Sequence, residues 1–401
     1  MTIDEICSAC INALRVEGYN ESTIFNYEGV IRRFKQFCKE RDVTLYSSEI
    51  GKAYADDVIS KKTGKFSKNR HHTQGRFYRL IDSYFSTGTF DFSLMKKGRI
   101  VPDNENHQKI YTEYQDYLLR IYDNDNTRHF YEYGMYCLLQ FLNSNGIPDI
   151  EQLSPALIME YIKVTKTNRQ REMLCELRGI FRYLERSDLY NAVAGIHAPR
   201  AKRIIPVLTD AELQKIYDCI AEGNVSLRDA AIVTVGLSCG IRACDLIKLQ
   251  LSDIDWDNEI IQFKQSKTGN VVCLPLTERV GNALFRYITE ERPKIDSNYL
   301  FLRSFAPYVP FADHAACHSI VSKVFKIAGI DDNDNRMSGM HMLRHNAASA
   351  MVRNGVPIET IAAILGHATP DTTDIYITTD IERLKECVLS MDGISREVYY
   401  E

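Results

Sequence analysis

At 401 residues the chain is long enough for several domains with substantial cores. An apolar fraction of 45% and a charged fraction of 25% are ordinary for a globular protein, and no apolar run is long enough to span a bilayer. The net charge of −4 does not advertise a nucleic-acid partner, so any such partner has to be met by local basic clusters. The N-terminus "MTIDEICSACINALRVEG" lacks a signal-peptide pattern. The eleven cysteines are odd in number and lack framework spacing, which points to free thiols and a cytoplasmic location.

Residues 1–100 are expected to form an N-terminal helical domain, with "ESTIFNYEGVIRRFKQFCKERD" as its clearest amphipathic segment. Cys7 and Cys10 form a C-x-x-C without a second pair; on a helix they are simply neighbours, and a zinc site would need further ligands. The basic segment "KKTGKFSKNRHH" carries Lys61, Lys62, Lys65, Lys68 and Arg70, and "KKGRIVPDNENHQ" then reads as a linker. Residues 101–200 are expected to be a second helical domain, with basic residues Lys163, Lys166, Arg169 and Arg171 in "KVTKTNRQR". A connector, "HAPRAKRIIPVL", brings Arg200, Lys202 and Arg203.

The two helical blocks read as copies of one unit. "TIFNYEGVIRRFKQFC" aligns with "TRHFYEYGMYCLLQFL", pairing Thr23 with Thr127, Tyr27 with Tyr131, Phe34 with Leu138 and Phe37 with Phe141. The basic segments follow in register, and "RLIDSYF" then matches "RGIFRYL". Amphipathic helices share some pattern by chance, so coincidence stands beside duplication as a reading.

Residues 201–401 form the third block. Ser226 and Asp229 make an S-x-x-D capping box for "LRDAAIVTVGLS", which Gly240 ends. Arg242 and Asp245 lie three apart, so the acid can pin the guanidinium on one helix face. "DIDWDNEIIQFKQSKTGNVVCLPL" alternates like strands, with a hairpin turn beginning beside Lys267. "HMLRHNAASAMVRNG" reads as a helix with Met340, Leu343, Ala347, Ala350 and Met351 on its apolar stripe, yet its first turn carries His341, Arg344 and His345. Adding cationic groups to a helix N-terminus, already positive through its dipole, makes sense for an anion, above all a phosphate. Pro357 opens the next helix, striped with Ile358, Ile361 and Leu365 and capped by Gly366. His367 falls just outside it, and Thr369-Pro370 start the helix that carries Tyr376.

In order and spacing, "GIRACDLIKL", "SKTGN", "HMLRH", "LGH" and "TTDIY" resemble the catalytic signature of the tyrosine recombinases, the phage-integrase and Xer-type family. The resemblance implies that Arg242, Lys267, His341, Arg344, His367 and Tyr376 are catalytic, with Asp245 as the supporting acid. It covers about 206 to 385, and the block 107–197 resembles the family's core-binding domain. The implied fold is mainly α with a small antiparallel β-sheet in the catalytic domain, preceded by two helical (SAM-like) DNA-binding domains. The implied activity is site-specific recombination through a covalent 3′-phosphotyrosyl intermediate, with no metal or other cofactor. The implied partners are a double-stranded DNA recombination site and three further copies in a tetramer on two duplexes, with an accessory DNA-bending factor as a further candidate and no membrane.

Within that resemblance the extra N-terminal block favours an integrase or transposase of a mobile element over a chromosome-dimer resolvase. A type IB topoisomerase uses similar chemistry, and a DNA-binding regulator on the same fold would not cleave. His341, His345 and His367 as a metal site lack an intervening glutamate and sit beside repelling arginines. The tail's stripe of Ile381, Leu384, Val388 and Met391 fits either a helix docked on a neighbouring subunit or an intrachain packing helix.

Overall fold

The computed structural model describes residues 1–60, 63–93, 104–197, 207–330 and 339–366. Lys61, Lys62, Arg200, Lys202, Arg203, His367, Tyr376 and the tail therefore lie outside the described residues. The chain divides into two compact units. One comprises Met1–Met95 with Arg203–Glu401, and the other Lys96–Lys202.

The first unit opens with α1 (Ile3–Val16), α2 (Glu21–Lys39), α3 (Ser48–Asp56) and α4 (Lys68–Thr87). Side chains write their boundaries. Thr2 and Glu5 form a reciprocal capping box, the hydroxyls of Ser47 and Ser67 cap α3 and α4, and Gly88 ends α4 in the left-handed conformation. Phe34, Tyr54 and Phe77 form the aromatic centre of this block, with ring centroids 5.1 Å apart for Phe34–Tyr54 and 5.4 Å for Phe34–Phe77. Cys7 and Cys10 are buried in it, and burial pushes both thiols up to about 12. Ala306 belongs to the same core and Tyr308 packs on it, so a loop of the third block is continuous with the first.

The second unit holds α5 (Glu105–Ile121), α6 (Asp125–Ser144), α7 (Pro155–Val164), α8 (Thr167–Tyr183) and α9 (Ser187–Ala194). Three of its helices, α6, α7 and α8, share landmark positions with α2, α3 and α4. Tyr27 and Tyr131 are each the seventh residue of their helices, as are the buried Tyr54 of α3 and Tyr161 of α7. Ser154 caps α7 as Ser47 caps α3. The third residue of α4, Arg70, binds Asp57 at 2.5 Å, and the third residue of α8, Arg169, binds Glu176 at 2.8 Å. The twelfth residues, Arg79 and Arg178, donate to carbonyls of the segments leaving the block, at Ser93 and at Val193 and Ile196.

In the third block α11 (Leu227–Cys239) runs buried through the core, as its nearly uniform apolarity requires. It packs against α13 (Glu278–Arg286), α14 (Ala315–Ile327) and α15 (Met340–Arg353). Only half of the anticipated Ser226–Asp229 box forms. The Ser226 hydroxyl accepts from the Asp229 N–H, but the Asp229 carboxylate turns inward to Arg228 and Lys323. Helices α10 (Asp210–Ala221), α12 (Ala243–Leu246) and α16 (Ile358–Leu365) complete the helical set among the described residues. A three-stranded antiparallel sheet runs β1 (Ile254–Asp255), β2 (Ile260–Lys264), β3 (Val271–Pro275), and Gln262 faces Cys273 across the hairpin. The architecture is mainly α with a small antiparallel sheet in the third block, as expected.

The basic side chains of the two helical blocks fall into two groups. Lys65, Lys68, Lys163, Lys166 and Arg171 are exposed, whereas Arg169 is tied to Glu172 and to Glu176, which is 1% exposed. Removing one partner of such a pair strands the other in a poor solvent, at a cost of roughly 3–5 kcal/mol. Arg169→Ala should therefore destabilise the second unit on that scale, and Lys163→Ala by less than about 0.5 kcal/mol. Native-state hydrogen exchange of the α6 and α8 amides in the full chain reads the difference; equal effects would refute the structural role of Arg169.

Candidate active site

Helix α11 ends at Gly240, where φ is 62° and an added Cβ would lie 3.0 Å from Leu365 and 3.2 Å from Ala347. Glycine is needed here twice over, for the left-handed turn and for the close approach. The turn delivers Arg242 to the N-cap of α12. Its Nη1 donates to Gln265 Oε1 at 2.7 Å and its Nη2 to the Gly366 carbonyl at 2.9 Å. Arg344, on the first turns of α15, is 5% exposed. Its Nη1 donates to the Gly240 carbonyl and its Nη2 to the Leu365 carbonyl, both at 2.7 Å. Both guanidinium groups thus meet the C-terminal end of α16, whose final carbonyls carry the negative end of the helix dipole.

Asp245 does not pin Arg242. Its side chain reaches the hairpin, where Oδ1 accepts from the Ser266 N–H at 2.7 Å; Oδ2 is buried with no hydrogen-bond partner among the described residues. The acid thereby fixes the turn that carries Lys267. That turn is closed by Gln265 N–H to the Asn270 carbonyl at 2.9 Å, with Gly269 at φ 73° and Lys267 exposed on it. Gln265 was not singled out by the sequence, yet it is 3% exposed and sits at the centre of the bonding. Its Nε2 donates to the Leu365 carbonyl at 3.1 Å, and its Oε1 accepts from Thr268 Oγ1 at 2.8 Å as well as from Arg242.

His341 is exposed at the start of α15, while His345, one turn on, is 8% exposed. Their rings stack with centroids 6.4 Å apart. The His341 pKa lies below the usual histidine value, first because its ring is partly desolvated against the protein. The neighbouring Arg344, His314, Arg242 and Lys267 add to the effect. Arg344, Arg242 and Lys267 thus lie within electrostatic reach of His341. His314, at the start of α14, joins them without having been marked by the sequence, where it stands in no motif. Such a cluster, at a helix N-terminus and with an imidazole at hand, suits a phosphate group and proton transfer beside it. Among the described residues no group of three or more His, Cys, Asp or Glu is placed to hold a metal ion.

Residues 206–383 match the model of the phage integrase family. An integrase/recombinase of Sinorhizobium fredii is 34% identical over 167 residues, which are 42% of this chain and 84% of the relative. The chain belongs to the phage integrase family. It spans 52% and 64% of the length of two other S. fredii relatives. Its fold is shared with the XerH site-specific recombinase bound to a palindromic difH substrate in a post-cleavage complex. The TM-score is 0.55 at 16% identity, covering 85% of this chain and 92% of that one. A lambda integrase tetramer bound to a Holliday junction gives a TM-score of 0.53 at 17% identity, covering 79% and 90%.

Burial, then His341 and Arg344, hold the His345 pKa down at about 4 against an ordinary value of 6.5. The folded state therefore keeps the ring neutral where the unfolded chain binds a proton. Stability is complete above pH 6.5 and is lost as pH falls toward 4, by up to about 3 kcal/mol. Denaturant midpoints at pH 7 and pH 4.5 should fall further for the natural chain than for His345→Gln; equal falls would place the acid-sensitive group elsewhere.

Proposed function

We propose that this protein is a site-specific DNA strand-exchange enzyme that cleaves and rejoins DNA through a covalent 3′-phosphotyrosyl intermediate. The observation that carries the reading is the convergence of Arg242 and Arg344 on the end of α16, with His341 and Lys267 in the same cationic cluster. Tyr376 and His367 lie in the chain just beyond that end, which favours delivery of both to this locus.

In the proposed reaction the Tyr376 oxygen attacks the scissile phosphorus. A new P–O(Tyr) bond forms as the bond from phosphorus to the 5′-oxygen breaks. An unperturbed phenol has a pKa near 10 and needs a base to become a nucleophile. His341 takes this proton, and its lowered pKa leaves it neutral and ready at physiological pH. Lys267 supplies a proton to the departing 5′-oxygen. Arg242 and Arg344 stabilise the charge on the non-bridging oxygens, each fixed donor contributing roughly 3–4 kcal/mol, while His367 donates a hydrogen bond to the same phosphate. Attack by the 5′-hydroxyl of a second strand reverses each step. The phosphodiester bond energy is conserved, so no high-energy cofactor is consumed, and the three cations take the part a divalent metal plays in many nucleases.

Tyr376→Phe should abolish the denaturant-resistant protein–DNA adduct while leaving affinity for the site intact. Adduct formation by the natural chain should persist in excess EDTA. An adduct that survives in Tyr376→Phe, or one that needs magnesium, would overturn the mechanism. Joining of two separate duplexes distinguishes strand exchange from simple relaxation of DNA circles.

The site's partner is a double-stranded recombination sequence. A tetramer on two duplexes suits an exchange that requires two strand pairs at once, and the lambda integrase neighbour is a tetramer bound to a Holliday junction. An integrase or transposase of a mobile element is the biological role favoured by the additional N-terminal block. We infer that residues 1–100 and 101–200 are duplicates, supported by the serine caps of α3 and α7 and by the matching tyrosines and arginines of α2–α4 and α6–α8, with 201–401 as the catalytic domain. Each duplicate then offers one basic segment, Lys61–Arg70 or Lys163–Arg171, to the DNA backbone. Each neutralised phosphate contributes about −0.9 to the slope of log affinity against log salt. Replacing Lys61, Lys62, Lys65 and Lys68 with alanine should flatten that slope by a few units, about one for each phosphate left without its lysine, and shorten the footprint. An unchanged slope and footprint would assign the N-terminal block to protein contacts.

A further inference from the structure

The mechanism above gives no part to Gln265, yet this side chain joins three pieces of the site. It is 3% exposed, at the root of the hairpin, and it uses both ends of its amide. The oxygen accepts from Arg242 Nη1 at 2.7 Å and from Thr268 Oγ1 at 2.8 Å, and the nitrogen donates to the Leu365 carbonyl at 3.1 Å. Gly366 lies against the amide so closely that an added Cβ would overlap its oxygen, nitrogen and carbon, so the chain approaches this amide as only glycine can. The same amide therefore fixes Arg242, the turn that carries Lys267 and the last turn of α16.

The burial and geometry matter because Arg242 has a long side chain with several rotatable bonds. Its guanidinium is described at two points, Gln265 Oε1 and the Gly366 carbonyl, which lie on different elements. Two anchors on two Nη atoms set the plane of the group, whereas one anchor leaves it free to rotate about that bond. A neutral amide oxygen sets this plane without neutralising the positive charge that a phosphate needs. A carboxylate at the same place would hold the arginine as well but cancel its charge. The chemistry of the residue thus suits orientation better than simple cohesion does.

We propose that Gln265 is the positioning residue for Arg242, setting the guanidinium plane for the non-bridging oxygens of the scissile phosphate. The role rests on the strand-exchange function proposed above. Loss of orientation at a reacting centre costs roughly 100-fold in rate. Gln265→Met keeps the length of the side chain and removes its oxygen and nitrogen. Single-turnover cleavage of a nicked duplex by the full chain should then slow by about that factor, with the dissociation constant for DNA unchanged.

Three comparisons separate this role from others. In an Arg242→Lys background the Gln265→Met change should add little, because a residue that acts through Arg242 loses its effect with it. With sulfur in place of the 5′-bridging oxygen the leaving group needs no proton; this substrate should restore Lys267→Ala but not Gln265→Met. If Gln265→Met does not fold, Gln265→Asn keeps the amide but withdraws it from Arg242, and the same sulfur-insensitive loss is expected. Parallel loss of affinity and rate would show a merely structural role and overturn the proposal. So would restoration by sulfur, which would make Lys267 the group served, or full additivity with Arg242→Lys. A natural chain that forms no adduct at all would instead overturn the strand-exchange function, and this role with it.

Discussion

The site depends on the C-terminal end of α16. The carbonyls of Leu365 and Gly366 point out of the helix without intrahelical partners, at the negative end of its dipole. They accept from Arg344, Gln265 and Arg242. Two guanidinium groups that repel each other are thereby held at one locus by fixed partial charges. The helix itself is held by apolar packing of Ile361 and Leu365 on Ala348 and Val352 of α15, so the position of the cations follows from an ordinary hydrophobic contact. Gly240 is the third requirement, since its carbonyl accepts from Arg344 and a Cβ there would press on Leu365.

The way these arginines are held differs from that of several others among the described residues. Arg70, Arg169, Arg186 and Arg228 are each paired with a carboxylate, at Asp57, Glu176, Asp188 and Asp229. Such pairs cancel charge and fix local structure. At Gly240, Gln265, Leu365 and Gly366 the acceptors are neutral oxygens, which orient a guanidinium and leave its charge in place. Neutral acceptors do not mark a site by themselves, because Arg292 also donates to the carbonyls of Ser297, Tyr299 and Leu300 and merely anchors a loop. What distinguishes Arg242 and Arg344 is convergence, on each other and on a helix N-terminus that carries His341.

Much of this was legible in the sequence. The signature residues stand at fixed places relative to helix caps, so Gly240 and Gly366 marked the helix ends, and the resemblance to the tyrosine recombinases singled out Arg242 and Arg344. The helical blocks were legible for the same reason, since Tyr27 and Tyr131 occupy the same helical position. The links between elements were not legible. Gln265 is one glutamine in a hairpin, and nothing in its spacing predicts an acceptor for an arginine 23 residues earlier. Asp245 is three residues from Arg242, which favours a helical pair, but Arg242 occupies the N-cap and α12 is four residues long. A helix that short leaves the acid near the hairpin, where it accepts from the Ser266 N–H instead. Arg169 looked like one more cation of a basic segment; only the fold reveals the buried Glu176 beneath it.

A net charge of −4 is compatible with a DNA-directed surface because the chain separates two uses of positive charge. Arginines that lie over buried carboxylates contribute nothing to the field outside, so they do not add to attraction for DNA however many there are. The exposed lysines of the helical blocks can contribute to it, and they occur beside the first turns of α4 and α8, where the helix dipoles have the same sign. The catalytic cluster is the third case, with full charge at a partly enclosed locus where water screens it less. Affinity and chemistry are then tuned by different residues. Under the proposed function, surface lysines would set how strongly and at what salt a duplex is held, while the α16 carbonyls and the Gln265 amide would set how well a bound phosphate fits two fixed guanidinium groups. Evolution of a new target sequence on the outer surfaces leaves that inner geometry unchanged.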